Sequence, residues 1–285
     1  MKEPKFSINT WLFGTASMDL ITKAAHEIGV DGIDISGEPD AIDLVKTKEL
    51  LEKYNLKAFC INGNYSDENR VICHSDATKR ASAIQYCKAL VDMALALGSK
   101  RVLVVPSQVN RVTYFIDKEA DFKNASESLK EIAAYAESKD KDLRIIVECV
   151  NQYEVALIRT VADGIALAKS TGYENVRIVP DTFHMQLEEK DGIPGAIRSA
   201  GNKWIKHLHL GDNTREVPGK GCMDWRAFMI AIDDIKYEDA LSFEPLPGKL
   251  TGDEIFADKL DTNLLIADLK YSFAFLKSVC AGIRY

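Results

Sequence analysis

The stretch HLHLGDNTREVPGKG, His207 to Gly221, opens as a strand and breaks into a loop rich in glycine and proline. Side chains alternate along an extended strand, so His207 and His209 turn to the same face. The loop carries Asp212, Asn213 and Arg215 just past the strand end. Two imidazoles side by side are often a core pair. Their meaning depends on whether other strands end in similar polar groups.

Working outward, this strand (205–210) is one of eight runs with strand character. The others are 5–12, 31–36, 57–63, 101–106, 144–150, 176–181 and 239–245. Between and after them lie stretches of helical period at 16–28, 41–54, 80–98, 121–138, 160–171, 192–200, 224–235 and 263–280. In 80–98, Ile84, Cys87, Leu90, Val91 and Leu95 recur at three-to-four spacing, as a helix with one apolar side requires. Gly29, Gly98 and Gly172 follow helical runs, where a left-handed C′ residue is expected. Eight strand–helix units without a Pro/Gly/Ser-rich linker predict an α/β fold, a single-domain (β/α)8 TIM barrel over residues 1–285. The length of 285 residues suits that fold, which typically takes about 250. A doubly wound open sheet would normally carry a glycine-rich phosphate loop after its first strand, and NTWLFGTASMD (9–19) has no such pattern.

Composition narrows the function. The net charge of −7 argues against nucleic acid as a partner, since phosphate-backbone binding needs a clustered basic surface. No apolar run reaches the ~20 residues that span a bilayer, and no basic segment precedes an apolar run at Met1, so no membrane or secretory role is expected. The six cysteines, Cys60, Cys73, Cys87, Cys149, Cys222 and Cys280, are scattered without C-x-x-C spacing. They read as reduced thiols of a cytoplasmic protein rather than a zinc site.

In barrel enzymes chemistry sits at the C-terminal ends of the strands. At those ends this chain places Glu148, Asp181, His209 and Glu244, on strands five to eight, separated by 33, 28 and 35 residues. Each step is close to one strand–helix unit, so four consecutive strands offer one ligand each at similar height. Singly, such residues are usually rim carboxylates or caps, and Asp181 in P-D-T is a good N-cap. Chance seldom puts them on four successive strand ends. Three clustered carboxylates repel unless a cation joins them. The oxygen–nitrogen set suits Mn²⁺, Co²⁺ or Mg²⁺ better than a thiolate-preferring metal. Nearby, Glu154, His184 and Arg215 read either as grips for a polyhydroxylated ligand over the metal or as a surface carboxylate, a satisfied loop histidine and an exposed cation. His207 reads as a buried supporting residue one layer below His209. Asn9, Trp11, Gly63 and Asn64 lie near the ends of strands one and three, and Pro106 and Ser107 near the end of strand four, where they read as wall and floor of a sugar pocket or as core, with core packing the stronger reading for Trp11. His26 and His74 read as surface or helix residues.

The segments VECVNQYE (147–154), PDTFHM (180–185), HLHLGDNTREVPGKGCMDW (207–225) and SFEPLP (242–247) resemble the sugar-isomerase/epimerase branch of the xylose isomerase-like barrels. Within it they are most similar to the ketose 3-epimerases, the D-tagatose and D-psicose (allulose) 3-epimerase group. NGNYSDENRVICHSDATKR (62–80) is similar to that group's loop before the third helix. The resemblance implies that Glu148, Asp181, His209 and Glu244 hold a divalent metal, Mn²⁺ first, with Co²⁺ or Mg²⁺ as alternatives. It also implies that Glu148 and Glu244 double as the acid/base pair, and that His184, Arg215 and Glu154 bind substrate oxygens near C1 to C3. A homodimer or homotetramer is implied as well. The chain departs from the group at Cys149 and Gln152, where many members carry a proline-type residue and an arginine, and at VVPSQ (104–108), which replaces a glycine-rich turn.

The reaction so implied is inversion at C3 of a free ketose of the D-tagatose, D-fructose or D-psicose type through a cis-enediolate. Aldose–ketose or hydroxypyruvate-type isomerases, inosose dehydratases and ketose-phosphate epimerases are the rivals on the same metal site. A DNA-repair barrel would need more histidine ligands and a basic surface. A non-catalytic sugar-binding barrel has no positive feature in the sequence.

Overall fold

The computed structural model describes residues 3–246, 250–257 and 259–283. Pro247 of the SFEPLP segment and the extreme ends of the 1–285 span lie outside the described residues. All eight expected strands are present: β1 (Lys5–Asn9), β2 (Gly32–Gly37), β3 (Lys57–Gly63), β4 (Arg101–Val104), β5 (Arg144–Cys149), β6 (Val176–Pro180), β7 (Leu208–Leu210) and β8 (Ala240–Phe243). They pair in parallel in the order β6-β5-β4-β3-β2-β1-β8-β7. Between β6 and β7 only the isolated bridges Ile178–Ile205 and Asp181–His209 complete the ring. The fold is a nearly closed single-domain (β/α)8 TIM barrel.

The helices follow their strands: α1 (Met18–Ile28), α2 (Leu44–Lys53), α3 (Ala77–Leu97), α4 (Lys118–Lys139), α5 (Val161–Ser170), a short α6 (Thr182–Glu188), α7 (Gly192–Trp204), α8 (Trp225–Asp234), a short α9 (Gly252–Phe256) and α10 (Thr262–Ile283). Their starts are chemically marked. Ser17, Asp43, Asp76, Asp117, Thr160 and Asp224 each accept a backbone N–H from the first turn, satisfying donors that a helix start leaves unpaired. Gly29, Gly98 and Gly172 take the expected left-handed conformation at φ 92°, 74° and 73°. The first strand is shorter than its apolar run: Thr10–Phe13 winds into a 3-10 turn directly after Asn9, which turns Trp11 towards the barrel mouth.

Cys87, Leu90 and Val91 of α3 are buried, as the spacing requires, with Ile84 and Leu95 half-buried beside them. Ser7, Asn9, Asp34, Asn62, His207 and Ser242 are all buried on the inward face of their strands, while their neighbours Ile33, Ile61 and Phe243 turn outward to the helices. At the opposite end from the mouth, Arg101 donates through Nε to the Lys206 carbonyl at 2.5 Å and pairs with Asp239, tying β4 to the β7–β8 side. Cys60, Cys73, Cys87 and Cys149 are buried thiols, and burial pushes the Cys73 and Cys87 thiols up to about 12. No helix among the described residues is long and apolar enough to cross a membrane. His74 is not a surface residue: it is 7% exposed, its ring centroid is 4.2 Å from that of Phe115, and its Nδ1 accepts the Asp76 N–H. The long connection after β4 folds back over it, a contact with no local sequence signature.

Candidate metal centre

Glu148 lies in β5, Asp181 follows β6, His209 lies in β7 and Glu244 follows β8, and one ligand atom from each falls within 4.8 Å of the others. Glu148, Asp181 and His209 are buried and Glu244 is half-buried. The four strand-end residues picked out by their spacing are thus brought together. Glu148 Oε1 is 3.2 Å from His209 Nδ1, and Glu244 Oε2 contacts the same nitrogen. Asp181 also performs the ordinary task its context predicts, accepting the Phe183 N–H at 2.6 Å as the N-cap of α6.

The electrostatics of the cluster follow from its crowding. Burial, then the charge of Glu244, raises the Asp181 carboxyl to about 7. The same two causes raise Glu148. Burial opposes the His209 imidazolium, but the Glu244 and Glu148 carboxylates outweigh it and push His209 well above its ordinary range. Three carboxylates and one imidazole, drawn together with no lysine or arginine among them, fit a divalent cation of the hard, oxygen-preferring kind.

Glu244 is held from the first strand. Its Oε1 accepts from Asn9 Nδ2 and from Trp11 Nε1, both at 2.6 Å. Trp11 is therefore not mainly a core residue, as its aromatic character suggested; it is half-buried and lines the cavity. These partners stand 235 and 233 residues from Glu244 in the chain, and meet it only because β1 pairs with β8.

The three polar satellites also converge. Arg215 grips Glu154 through both terminal nitrogens, at 2.6 and 3.2 Å, and its guanidinium lies 4.8 Å from the Phe183 ring centroid. Asn151, which sequence reasoning missed, donates through Nδ2 to Glu154 Oε1 at 2.9 Å and meets His184 Nδ1 at 2.7 Å. With Nδ1 accepting, the neutral His184 ring carries its proton on Nε2. Burial, then the charge of Arg215, keeps His184 well below its ordinary value. Glu148, Glu154, His184, Arg215, Glu244 and Trp11 share the wall of one cavity of about 1120 Å³ at the C-terminal mouth.

The loop after His209 is built around Asp212. This fully buried carboxylate accepts from the backbone N–H groups of Asn213, Gly219 and Met223 and from Trp225 Nε1. The turn puts Arg215 at φ 61°, and its carbonyl accepts the Leu246 N–H at 2.6 Å, joining the loops after β7 and β8. A Cβ at Gly221 would stand 2.2 Å from Asp212 Oδ1 and from Asn213 Oδ1. Gly221→Ala is therefore expected to cost about 1–3 kcal/mol of stability and to misplace Arg215. Thermal unfolding alongside ligand affinity checks both effects.

His207, read from sequence as a support, is fully buried, with Nε2 2.6 Å from Asp34 Oδ2. Asp34, in β2, is a second residue that sequence reasoning missed. Burial opposes its ionisation, but His207 and then His209 outweigh this and hold its carboxyl below the usual range.

Fold and site together define an α/β barrel with a buried carboxylate–imidazole centre at its C-terminal mouth. The chain belongs to the xylose isomerase-like TIM barrel family, whose model matches residues 22–261. It is 34% identical over 174 residues to D-psicose 3-epimerase of Agrobacterium fabrum, covering 59% of each protein. It is 28% identical over 244 residues to L-ribulose 3-epimerase of Methylomonas sp., covering 85% of this chain and 81% of that one. Alignments to the Agrobacterium enzyme and two further D-psicose 3-epimerases span 59%, 44% and 46% of those relatives, so the chain matches about half their length. The D-psicose 3-epimerase of Clostridium cellulolyticum H10, crystallised with D-tagatose, superposes with a TM-score of 0.85 at 25% identity, covering 97% of this chain and 99% of that one. The group that the sequence motifs resemble is the group these relatives belong to.

Proposed function

We propose that the protein, acting as one domain over residues 1–285, is a metal-dependent epimerase that inverts C3 of a free ketose. The observation that carries this reading is the convergence of Glu148, Asp181, His209 and Glu244 within 4.8 Å beneath a cavity that also holds Glu154, His184 and Arg215. The relatives named as D-psicose and L-ribulose 3-epimerases support the reaction class. In this reading the four residues hold a divalent metal, Mn²⁺ before Co²⁺ or Mg²⁺. When bound, it polarises the substrate carbonyl and offsets charge on the enediolate.

The protein's own groups move the proton. A C–H beside a carbonyl is a weak acid, and inversion requires a base on one face and an acid on the other. Glu148 in β5 and Glu244 just after β8 stand three strands apart round the ring, a separation that suits two carboxylates flanking one substrate. One takes the C3 proton and the other returns a proton to the opposite face. The Asn9 and Trp11 donors fix Glu244 Oε1 and leave Oε2 facing His209. His184 offers Nε2–H, and Arg215, oriented by Glu154, offers positive charge to the developing oxyanion. A cytoplasmic setting and a homodimer or homotetramer complete the proposal.

Arg215→Ala is expected to lower kcat/KM by about 10²-fold, with Arg215→Lys recovering only part because a point charge cannot replace the two-pronged grip on Glu154. Steady-state kinetics checks this. The reaction class is tested by incubating the Mn²⁺ protein with a panel of free ketoses in D₂O. Deuterium at C3 with the carbonyl unmoved supports epimerisation. Deuterium at C1, or loss of water, replaces it with isomerisation or dehydration.

A further inference from the structure

Beneath the four-residue cluster lie two polar side chains that the proposed chemistry does not use, Asp34 and His207, fully buried like His209 above them. The two imidazoles meet edge to face with centroids 5.3 Å apart. Asp34 Oδ2 lies 2.6 Å from His207 Nε2 and 3.8 Å from His209 Nε2. His209 is turned so that Nδ1 faces Glu148 and Glu244 while Nε2 faces down towards Asp34. Asp34 Oδ1, His209 Nε2 and His207 Nδ1 are buried atoms with no hydrogen-bond partner.

We propose that Asp34 is a positioning residue for the metal site: it holds the proton of His209 on Nε2 and so presents a bare Nδ1 to the cation, with His207 anchoring the carboxylate. The inference rests on the metal reading above. A neutral imidazole carries one proton, and a nitrogen that binds a cation must give it up. With Nδ1 as ligand, the proton must sit on Nε2, inside a barrel where a buried N–H without an acceptor is costly. Asp34 is the carboxylate on that side, already fixed by its 2.6 Å contact with His207. A small rotation of the His209 ring closes the remaining distance to a charge-assisted hydrogen bond. The carboxylate–histidine–metal relay also raises the basicity of the ligand nitrogen.

The same three residues are a conceivable cation site of their own, but His209 cannot serve both sites. A neutral imidazole whose Nδ1 binds the upper cation keeps its proton on Nε2 and has no lone pair to offer there.

Histidine ¹⁵N–¹H spectra of the diamagnetic Mg²⁺-loaded protein test the inference without any mutation of Asp34, with signals assigned by comparison with His207→Gln. The expected result is a protonated Nε2 and a bare Nδ1 on His209; a bare Nε2 overturns the proposal. By calorimetric titration, Asp34→Asn is expected to weaken Mn²⁺ binding about 10- to 100-fold, and His207→Gln, which only loosens the anchor, to weaken it less. Wild-type affinity in a folded Asp34→Asn protein overturns the role of Asp34. Two Mn²⁺ per wild-type chain falling to one in Asp34→Asn overturns it too, by making Asp34 a ligand. A wild-type protein that binds no divalent cation sinks the metal reading itself, an outcome distinct from all of these.

Discussion

Glu148→Gln and Glu244→Gln are each expected to lower kcat for ketose epimerisation by about 10²–10⁴-fold, the range a positioned acid or base supplies. The carboxamide keeps the size of the side chain and one ligand oxygen, so divalent cation binding should weaken without vanishing. What it loses is the capacity to accept a proton. The two variants should also fail differently. If each carboxylate serves one face of C3, then each variant still exchanges the C3 proton of one epimer with D₂O while forming almost none of the other. The two variants should label opposite epimers. Proton NMR of both ketoses after incubation separates these outcomes, and full turnover in either single variant would end the two-base scheme.

Removing the cation should have the second large effect. EDTA treatment is expected to abolish turnover, and Mn²⁺ or Co²⁺ to restore it. The metal-free protein should also carry a pH signature. Asp181 titrates at about 7 when folded against 3.8 ordinarily, so between those values the folded chain holds a proton that the unfolded chain has released. Stability from this group is therefore present at low pH and is lost as pH rises through the folded value, at up to about 1.4 kcal/mol per pH unit. Glu148 and His209, both raised, act in the same direction. His184 and His207 are lowered and act in the opposite sense, but neither is among the four proposed ligands that must lose protons to hold the cation. The difference in melting temperature between Mn²⁺-loaded and EDTA-treated protein should therefore widen as pH rises towards and through about 7. A difference that narrows over that range would contradict a cation held at Asp181.

Much of this architecture is legible in the sequence, because strand and helix periods are local. The strand ends at Glu148, Asp181, His209 and Glu244 could be counted from one another, and each satellite lay within six residues of one of them. What sequence reading missed is what local pattern cannot carry. Asn9 and Trp11 reach Glu244 only because the ring brings β1 against β8. Asp34 sits in DGIDIS, where an acidic residue alternating with isoleucine reads as the solvent side of a strand; in a closed barrel that face points inward. Asn151 carries no local signal, since His184 reaches it only because β5 pairs with β6. His74 was misplaced for the same reason, its partner Phe115 lying beyond a helix and a strand.

The gap in the ladder between β6 and β7 gives the site a mechanical meaning. Every other adjacent pair forms a ladder, though β2–β3 carries a register shift and β3–β4 has two partner pairs; between β6 and β7 the described residues make isolated bridges instead, and the one at the mouth joins Asp181 to His209. On the metal reading proposed above, an ion gripped by those two side chains would be a clasp across that join. Substrate chemistry and closure of the cylinder would then share one fastening, at the part of the wall that shapes the mouth.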